Sequence, residues 1–180
     1  MNKSEIRKKI LKARKKNFFS NLVINFKSIS DILKKYRGYG KIIGGYYPYN
    51  YEVNPVDILE KFEKQNYQIS LPRIKKNSQM DFFRWSINDP LLINKYGIPE
   101  PASNKIVYPS IFLVPLVAFD RDLNRIGYGG GFYDRYFDKI KKNKKIITIG
   151  FAYSFQEVKK VPANKYDFKL NHIVTNKGII

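Results

Sequence analysis

Four glycines fall within the five residues Gly127-Tyr128-Gly129-Gly130-Gly131, between an apolar run ending at Phe119 and an amphipathic stretch beginning at Phe132. Glycine alone takes positive φ without steric cost, so this cluster turns the chain sharply and lets a ligand approach the backbone. Ile111 to Phe119 is apolar enough for a buried central strand, interrupted only by Pro115, and Asp120-Arg121-Asp122-Leu123-Asn124 supplies a turn. Phe132 to Lys142 has helical periodicity. A strand, a glycine loop and a helix in that order aim backbone N–H groups and the positive end of a helix dipole at an anion. Arg125 before the loop can pair with phosphate oxygens, and Asp134 after it can hold a magnesium ion beside them. An isolated Gly-x-Gly would serve only chain geometry; the glycine density and the two flanking charges favour a phosphate site.

The common phosphate loops do not match. The segment lacks the Gly-Lys-Ser/Thr end of a Walker loop, and Phe132 stands where a dinucleotide fingerprint needs its third glycine. Asp120, Asp122 and Asn124 resemble the start of a calcium loop, but Arg125 replaces its glycine and Gly131 its closing glutamate.

The rest of the chain predicts alternating helices and strands. Ser4 to Phe18 reads as a helix, with Ile6, Ile10 and Leu11 on one face. A second helix is expected from Ser20 to Tyr36, carrying Leu22, Val23, Phe26, Ile29, Ile32 and Leu33, and closed by Gly38 and Gly40. Lys41 to Tyr47 is a strand, Pro48 and Asn50 a turn, and Asn54-Pro55 the start of a third helix. Tyr67 to Leu71, closed by Pro72, and Met80 to Trp85 are further strands. Asp89 to Tyr96 is ambiguous between short helix and loop, and Gly97 to Pro101, with two prolines, is expected to be irregular. Ile146 to Ala152 and His172 to Thr175 complete the strands. This alternation predicts an α/β fold: a single three-layer domain over residues 1–180, with a mostly parallel sheet flanked by helices.

Composition narrows the setting. A chain of 180 residues with 43% hydrophobic and 16% aromatic content can fill one core. No cysteine is present, which removes disulfides and thiolate metal sites. The polar N-terminus and the absence of a long apolar run predict no membrane partner and a cytoplasmic location. The formal charge of +19 is spread over doublets such as Lys8-Lys9 and Lys141-Lys142, alongside abundant Asn, Ile and Tyr. That distribution reads as a solvated surface and a composition bias, not as a dedicated nucleic-acid face.

Val114-Pro115-Leu116-Val117-Ala118-Phe119-Asp120, followed by Arg125-Ile126-Gly127-Tyr128-Gly129-Gly130-Gly131-Phe132-Tyr133-Asp134-Arg135, resembles the diagnostic motif of the 5-formyltetrahydrofolate cyclo-ligases, or methenyltetrahydrofolate synthetases. Lys3 and Arg7, Tyr47-Pro48 with Glu52, Leu71-Pro72-Arg73, Gly97-Ile98-Pro99-Glu100-Pro101, and Val161-Pro162 with Asp167 and Ile173-Val174-Thr175 resemble the family's other blocks in order and spacing. Two positions depart from the pattern: Phe132 replaces a common Tyr, and Asn171 a common Asp.

The resemblance implies ATP-dependent cyclisation of 5-formyltetrahydrofolate to 5,10-methenyltetrahydrofolate, with phosphorylation of the formyl oxygen and release of ADP and phosphate. It implies ATP contacts at Lys3, Arg7, Arg125, Ile126, Gly127, Tyr128, Gly129, Gly130, Gly131, Phe132 and Tyr133. It places the folate, with or without a polyglutamate tail, against Tyr47, Glu52 and the loop from Tyr128 to Phe132. Arg125 and Tyr133 would act in catalysis, and Asp134 and Asp167 would hold Mg2+. Such chemistry asks for positioning and charge neutralisation and no protein nucleophile. A monomer is expected. Each residue also has a plainer role open to it: Lys3 and Arg7 on a solvated helix face, Glu52 in an exposed loop, Tyr133 in the core, Asp167 as a turn cap. Trp85 and Phe83 read as core, and the lone His172 as structural. Two competing readings are a non-catalytic basic module of the same fold that binds RNA, and a phosphosugar or CoA-ester enzyme on a related scaffold.

Overall fold

A computed structural model describes residues 1–17 and 22–180. In chain order the elements are α1 (Lys3–Lys16), α2 (Phe26–Lys34), β1 (Ile42–Gly44), α3 (Val56–Glu63), β2 (Gln68–Ile74), β3 (Met80–Arg84), β4 (Leu91–Ile93) and β5 (Pro99–Pro101). Then follow β6 (Ile106–Val107), β7 (Ile111–Pro115), β8 (Ala118–Phe119), β9 (Arg125–Ile126), α4 (Phe132–Ile140), β10 (Ile147–Phe151), β11 (His172–Thr175) and β12 (Gly178–Ile179). One eight-stranded sheet runs β12-β11-β10-β7-β1-β2-β3-β6. Its centre, from β11 through β2, is parallel, and β12, β3 and β6 add antiparallel margins.

The apolar runs build three layers because neighbouring strand residues point to opposite faces and both faces are covered. Ile111 and Leu113 of β7 join Ile147 and Ile149 of β10 against Ile29, Ile32 and Leu33 of α2 and Leu59 and Phe62 of α3. Phe112 and Val114 face the other way, onto Phe82, Tyr136 and Phe137. There Phe112 meets Phe82 and Phe137 edge-on, with ring centroids 5.3 and 5.0 Å apart. α1 packs outside these layers, setting Ile6 and Ile10 on Val117, Ala118 and Ile126 of the β8–β9 hairpin.

Three expectations need correction. The second helix begins at Phe26, because Asn25 Oδ1 accepts from Lys27 N and caps it there. Leu22 and Val23 therefore precede it, and Val23 is 77% exposed. Ser20 and Phe18, the expected end residues of neighbouring helices, lie outside the described residues. Next, Pro72 does not close its strand, which continues to Ile74. Ser70 O accepts from Gly45 N, so alternation turns the Pro72 nitrogen toward the side that β1 has already left, where no donor is needed.

The third concerns Asp89 to Pro101, which contains an antiparallel hairpin with Leu92 opposite Glu100. Asn94 N donates to Ile98 O and Ala102 N to Pro90 O, so the nitrogens of Pro99 and Pro101 face away from the partner strand. Alternation makes both prolines compatible with pairing.

Candidate active site

β1 and β7 lie side by side, but the chain leaves them in opposite directions. From β1 it crosses through α3 to β2; from β7 it passes through α4, on the other face, to β10. Loops that part in this way open a crevice beyond the carboxyl ends of the strands. A cleft of about 660 Å³ occupies that position, bounded by Tyr46 and Tyr47 after β1, Pro72 and Ile74 in β2, and Pro115 in β7. Its size is that of an ordinary small-molecule site.

The glycine loop forms one wall. Gly129 has φ 106° and Gly131 φ 66°, both in the range that disfavours a side chain. Gly131 caps α4 with no side-chain acceptor, so no side chain of the loop competes for the amides that open this helix. Apolar packing of α1 on the β8–β9 hairpin brings its first turns over the loop. Arg7 Nε donates to Gly127 O at 2.7 Å, and its guanidinium lies 3.5 Å from where a Cβ on Gly129 would stand. Lys3 Nζ meets both oxygens of Asp167 at 2.7 and 2.5 Å.

Arg125 is buried and donates from Nη2 to Asp134 Oδ1 at 3.0 Å, the same oxygen that accepts from Phe168 N at 2.9 Å. This ties the loop after Val161-Pro162 to the start of α4 and brings Asp167 to the wall that holds Asp134. Among the described residues three buried side-chain atoms have no hydrogen-bond partner: Arg125 Nε, Tyr133 Oη and Arg14 Nε. Two of the three belong to cleft-lining residues. A buried polar group without a partner costs about 1–3 kcal/mol, and the two at the cleft, Arg125 Nε and Tyr133 Oη, have a donor to spare. Burial drives the Tyr133 hydroxyl far above its usual range, with the Glu52 carboxylate adding to the shift, so it stays protonated and can donate.

The opposite wall carries Glu52 on a strained turn. Asn50 and Tyr51 both have positive φ, 48° and 60°, unusual for residues with side chains. Glu52 N donates to Tyr49 O at 3.1 Å, and Tyr49 N returns a bond to Glu52 Oε2 at 3.0 Å. The carboxylate is 8% exposed. Burial lifts its pKa to about 7, against the lowering effects of the Tyr49 amide and the Arg14 cation.

Every residue expected to bind or react lines this one cleft: Lys3, Arg7, Tyr47, Glu52, the run from Arg125 to Tyr133, Asp134 and Asp167. Trp85 and Phe83 are core, and His172 Nε2 lies 3.0 Å from the Tyr36 hydroxyl, away from the cleft. Asp120 is buried, accepting from Asn124 N and Val161 N, and so serves the β8–β9 turn. Asn171 Oδ1 accepts from Thr148 N and Oγ1, a structural bond.

The donor set suits magnesium in a limited way. Among the described residues no three acidic or His/Cys ligands cluster. Magnesium, however, commonly takes one or two carboxylates and completes its octahedron with water and phosphate oxygens. Asp134 carries both protein bonds on Oδ1, whereas Asp167 has both oxygens engaged by Lys3 and Oδ2 also by Asn164 N. Asp134 is thus the better-placed carboxylate, and Asp167 needs Lys3 to yield.

Two contributors escaped the sequence reading. Glu100 Oε1 accepts from Ile74 N and Asn94 Nδ2, pinning the β4–β5 hairpin as a cleft wall. Arg14 is buried behind the glycine loop. Its signal was available: it continues the Ile6–Ile10 stripe at a four-residue step, placing a charge on an apolar face.

Fold and cleft together define a parallel-sheet α/β enzyme with a glycine loop at its switch point. Residues 1–176 match the 5-formyltetrahydrofolate cyclo-ligase family, and the chain belongs to it. The 5-formyltetrahydrofolate cyclo-ligase of Haemophilus influenzae is 34% identical over 141 residues, 74% of this chain and 75% of that protein. The Escherichia coli K12 cyclo-ligase is 30% identical over 131 residues, 69% and 71% of the two chains. Among solved structures, the 5,10-methenyltetrahydrofolate synthetase of Mycoplasma pneumoniae superposes with a TM-score of 0.71 at 26% identity, covering 98% of this chain and 99% of that one. The Aquifex aeolicus synthetase gives 0.72 at 28% identity, covering 99% and 92%. The reaction of the family is ATP-dependent cyclisation.

Proposed function

We propose that this chain converts 5-formyltetrahydrofolate and ATP to 5,10-methenyltetrahydrofolate, ADP and phosphate in the cleft at the β1/β7 switch point. The observation that carries the reading is convergence: the glycine loop, the cations of α1 and the Glu52 turn, far apart in sequence, share one cleft. The formyl oxygen attacks the γ-phosphorus as the bond to ADP breaks. Nitrogen 10 then adds to the activated carbon, phosphate departs, and the proton of nitrogen 10 is lost. Lys3, Arg7, Arg125 and the amides opening α4 hold the phosphates and spread the charge of the transferring group. The Tyr133 hydroxyl donates to an oxygen at the reacting centre. Glu52 accepts from the N–H donors of the pterin, which fixes the ring while the formyl group faces the phosphate. Magnesium, held by Asp134 and Asp167, would neutralise phosphate charge when bound.

No helix among the described residues is long and apolar enough to cross a membrane. A cytoplasmic monomer acting on free or polyglutamylated folate fits the polar surface. The test of the reading is magnesium titration with Asp134→Asn and Asp167→Asn. Each variant should need more metal for half-maximal activity, Asp134→Asn the more, while Asn171→Ala leaves that need unchanged. An unchanged requirement in Asp167→Asn removes that residue from the metal site.

A further inference from the structure

Arg14 is a buried cation that the chemistry above does not use. Its side chain is 1% exposed, and no carboxylate lies within ion-pair distance of it among the described residues. It makes bonds to three segments instead. Nη2 donates to Leu116 O at 2.7 Å, just past β7; Nη1 donates to the Tyr128 hydroxyl at 2.8 Å, in the glycine loop; and Nη1 also reaches Asn50 O at 3.3 Å, in the strained turn. The guanidinium lies 5.9 Å from the centre of the Tyr128 ring, and the Tyr128 ring stands 6.0 Å from that of Tyr49. An uncompensated buried cation costs several kcal/mol and is a poor way to gain stability alone. A planar fork with several donors is well suited to joining three acceptors.

We propose that Arg14 is a positioning residue of the cyclisation, joining the ATP-side loop at Tyr128 to the folate-side turn at Asn50 that carries Glu52. The proposal rests on the functional reading above. Its geometry explains why a cation is buried here: one guanidinium fixes the two walls of the cleft relative to each other. The charged and titratable groups around Glu52 are few. Arg14 faces it from α1, Tyr46 from the segment after β1, Tyr128 from the glycine loop and Tyr133 from α4, with the Tyr49 amide bonded to it. Arg14 is the only cation among these, and the three tyrosines remain neutral because burial raises each hydroxyl. Removing Arg14 thus removes the charge that opposes protonation of Glu52.

The test measures kcat and KM for both substrates against pH in the wild type, Arg14→Gln, Arg14→Lys and Glu52→Gln, with thermal melts of each. Arg14→Gln should raise KM for ATP and folate together, as the two walls lose their shared tie, and should move the acid limb of kcat/KM for the folate upward. Arg14→Lys keeps the charge and should keep the limb, while raising KM for ATP and folate together because a single nitrogen cannot span acceptors that two separate guanidinium nitrogens reach. Glu52→Gln should abolish the limb. If Arg14→Gln does not fold, the joint KM rise in Arg14→Lys remains decisive. Arg14 variants that melt at lower temperature but keep the wild-type limb and both KM values would overturn the proposal, leaving Arg14 a structural residue. A wild-type protein without turnover would instead overturn the function itself.

Discussion

Glu52 carries opposite demands for stability and for its proposed role in binding. Burial raises its pKa from 4.5 to about 7, so between those values the folded chain keeps a proton that the unfolded chain has released. Stability contributed by this group is therefore full below pH 4.5 and is lost as pH rises through about 7. Glu52→Gln should be more stable than wild type above about pH 8, by up to ~3 kcal/mol, and should converge with it in acid, while KM for the folate rises. Thermal melts across pH check the first part, and equal pH dependence of both proteins contradicts it. Glu52 could be identified from its sequence block; its burial could not, because that depends on a turn whose two positive-φ residues, Asn50 and Tyr51, lack glycine's signature. Arg14 was hidden in another way: it looks like one more lysine-rich helix charge until the Ile6–Ile10 stripe is extended to it.

At the scale of elements, the glycine loop and α4 were legible because their chemistry is local. Four glycines, an apolar strand before and an amphipathic helix after leave few alternatives. Gly129→Val should abolish ATP binding with most of the fold retained, since φ is 106° there, a conformation a branched side chain rarely adopts, and the added methyls would stand on the loop beside the Arg7 guanidinium. Arg125→Ala should lower turnover by ~100-fold through lost stabilisation of the transferring phosphate, with some loss of stability as the bond to Asp134 is broken. Isothermal titration with ATP and steady-state rates check the pair; near-normal values in both would place the phosphates elsewhere. The β4–β5 hairpin was not legible, because Pro99 and Pro101 argue against a strand unless the side that each nitrogen faces is known. Side is a tertiary fact. The same holds for Pro72 in β2 and for Asn25, whose capping bond starts α2 several residues late.

For the whole molecule, the alternation of apolar segments was enough to indicate three layers, since β7 and β10 are apolar on both faces and must be covered twice. The antiparallel margins were not, because β6 and β12 are two residues each and leave almost no periodicity. The charge of +19 is a property at this scale too. If it is a solvated surface, RNA affinity should fall steeply with salt, show no sequence preference and leave folate turnover unaffected. Salt-resistant, sequence-selective binding would argue for a dedicated nucleic-acid partner. The central claim is simpler: a single cleft unites a phosphate loop with a folate wall. It is tested most directly by incubating the purified protein with 5-formyltetrahydrofolate, ATP and magnesium and following methenyl absorbance in the near ultraviolet. Product should appear only when all three are present, with one ADP released per methenyl group formed; ATP turnover without that absorbance, or no product from folded protein at any pH, would contradict it.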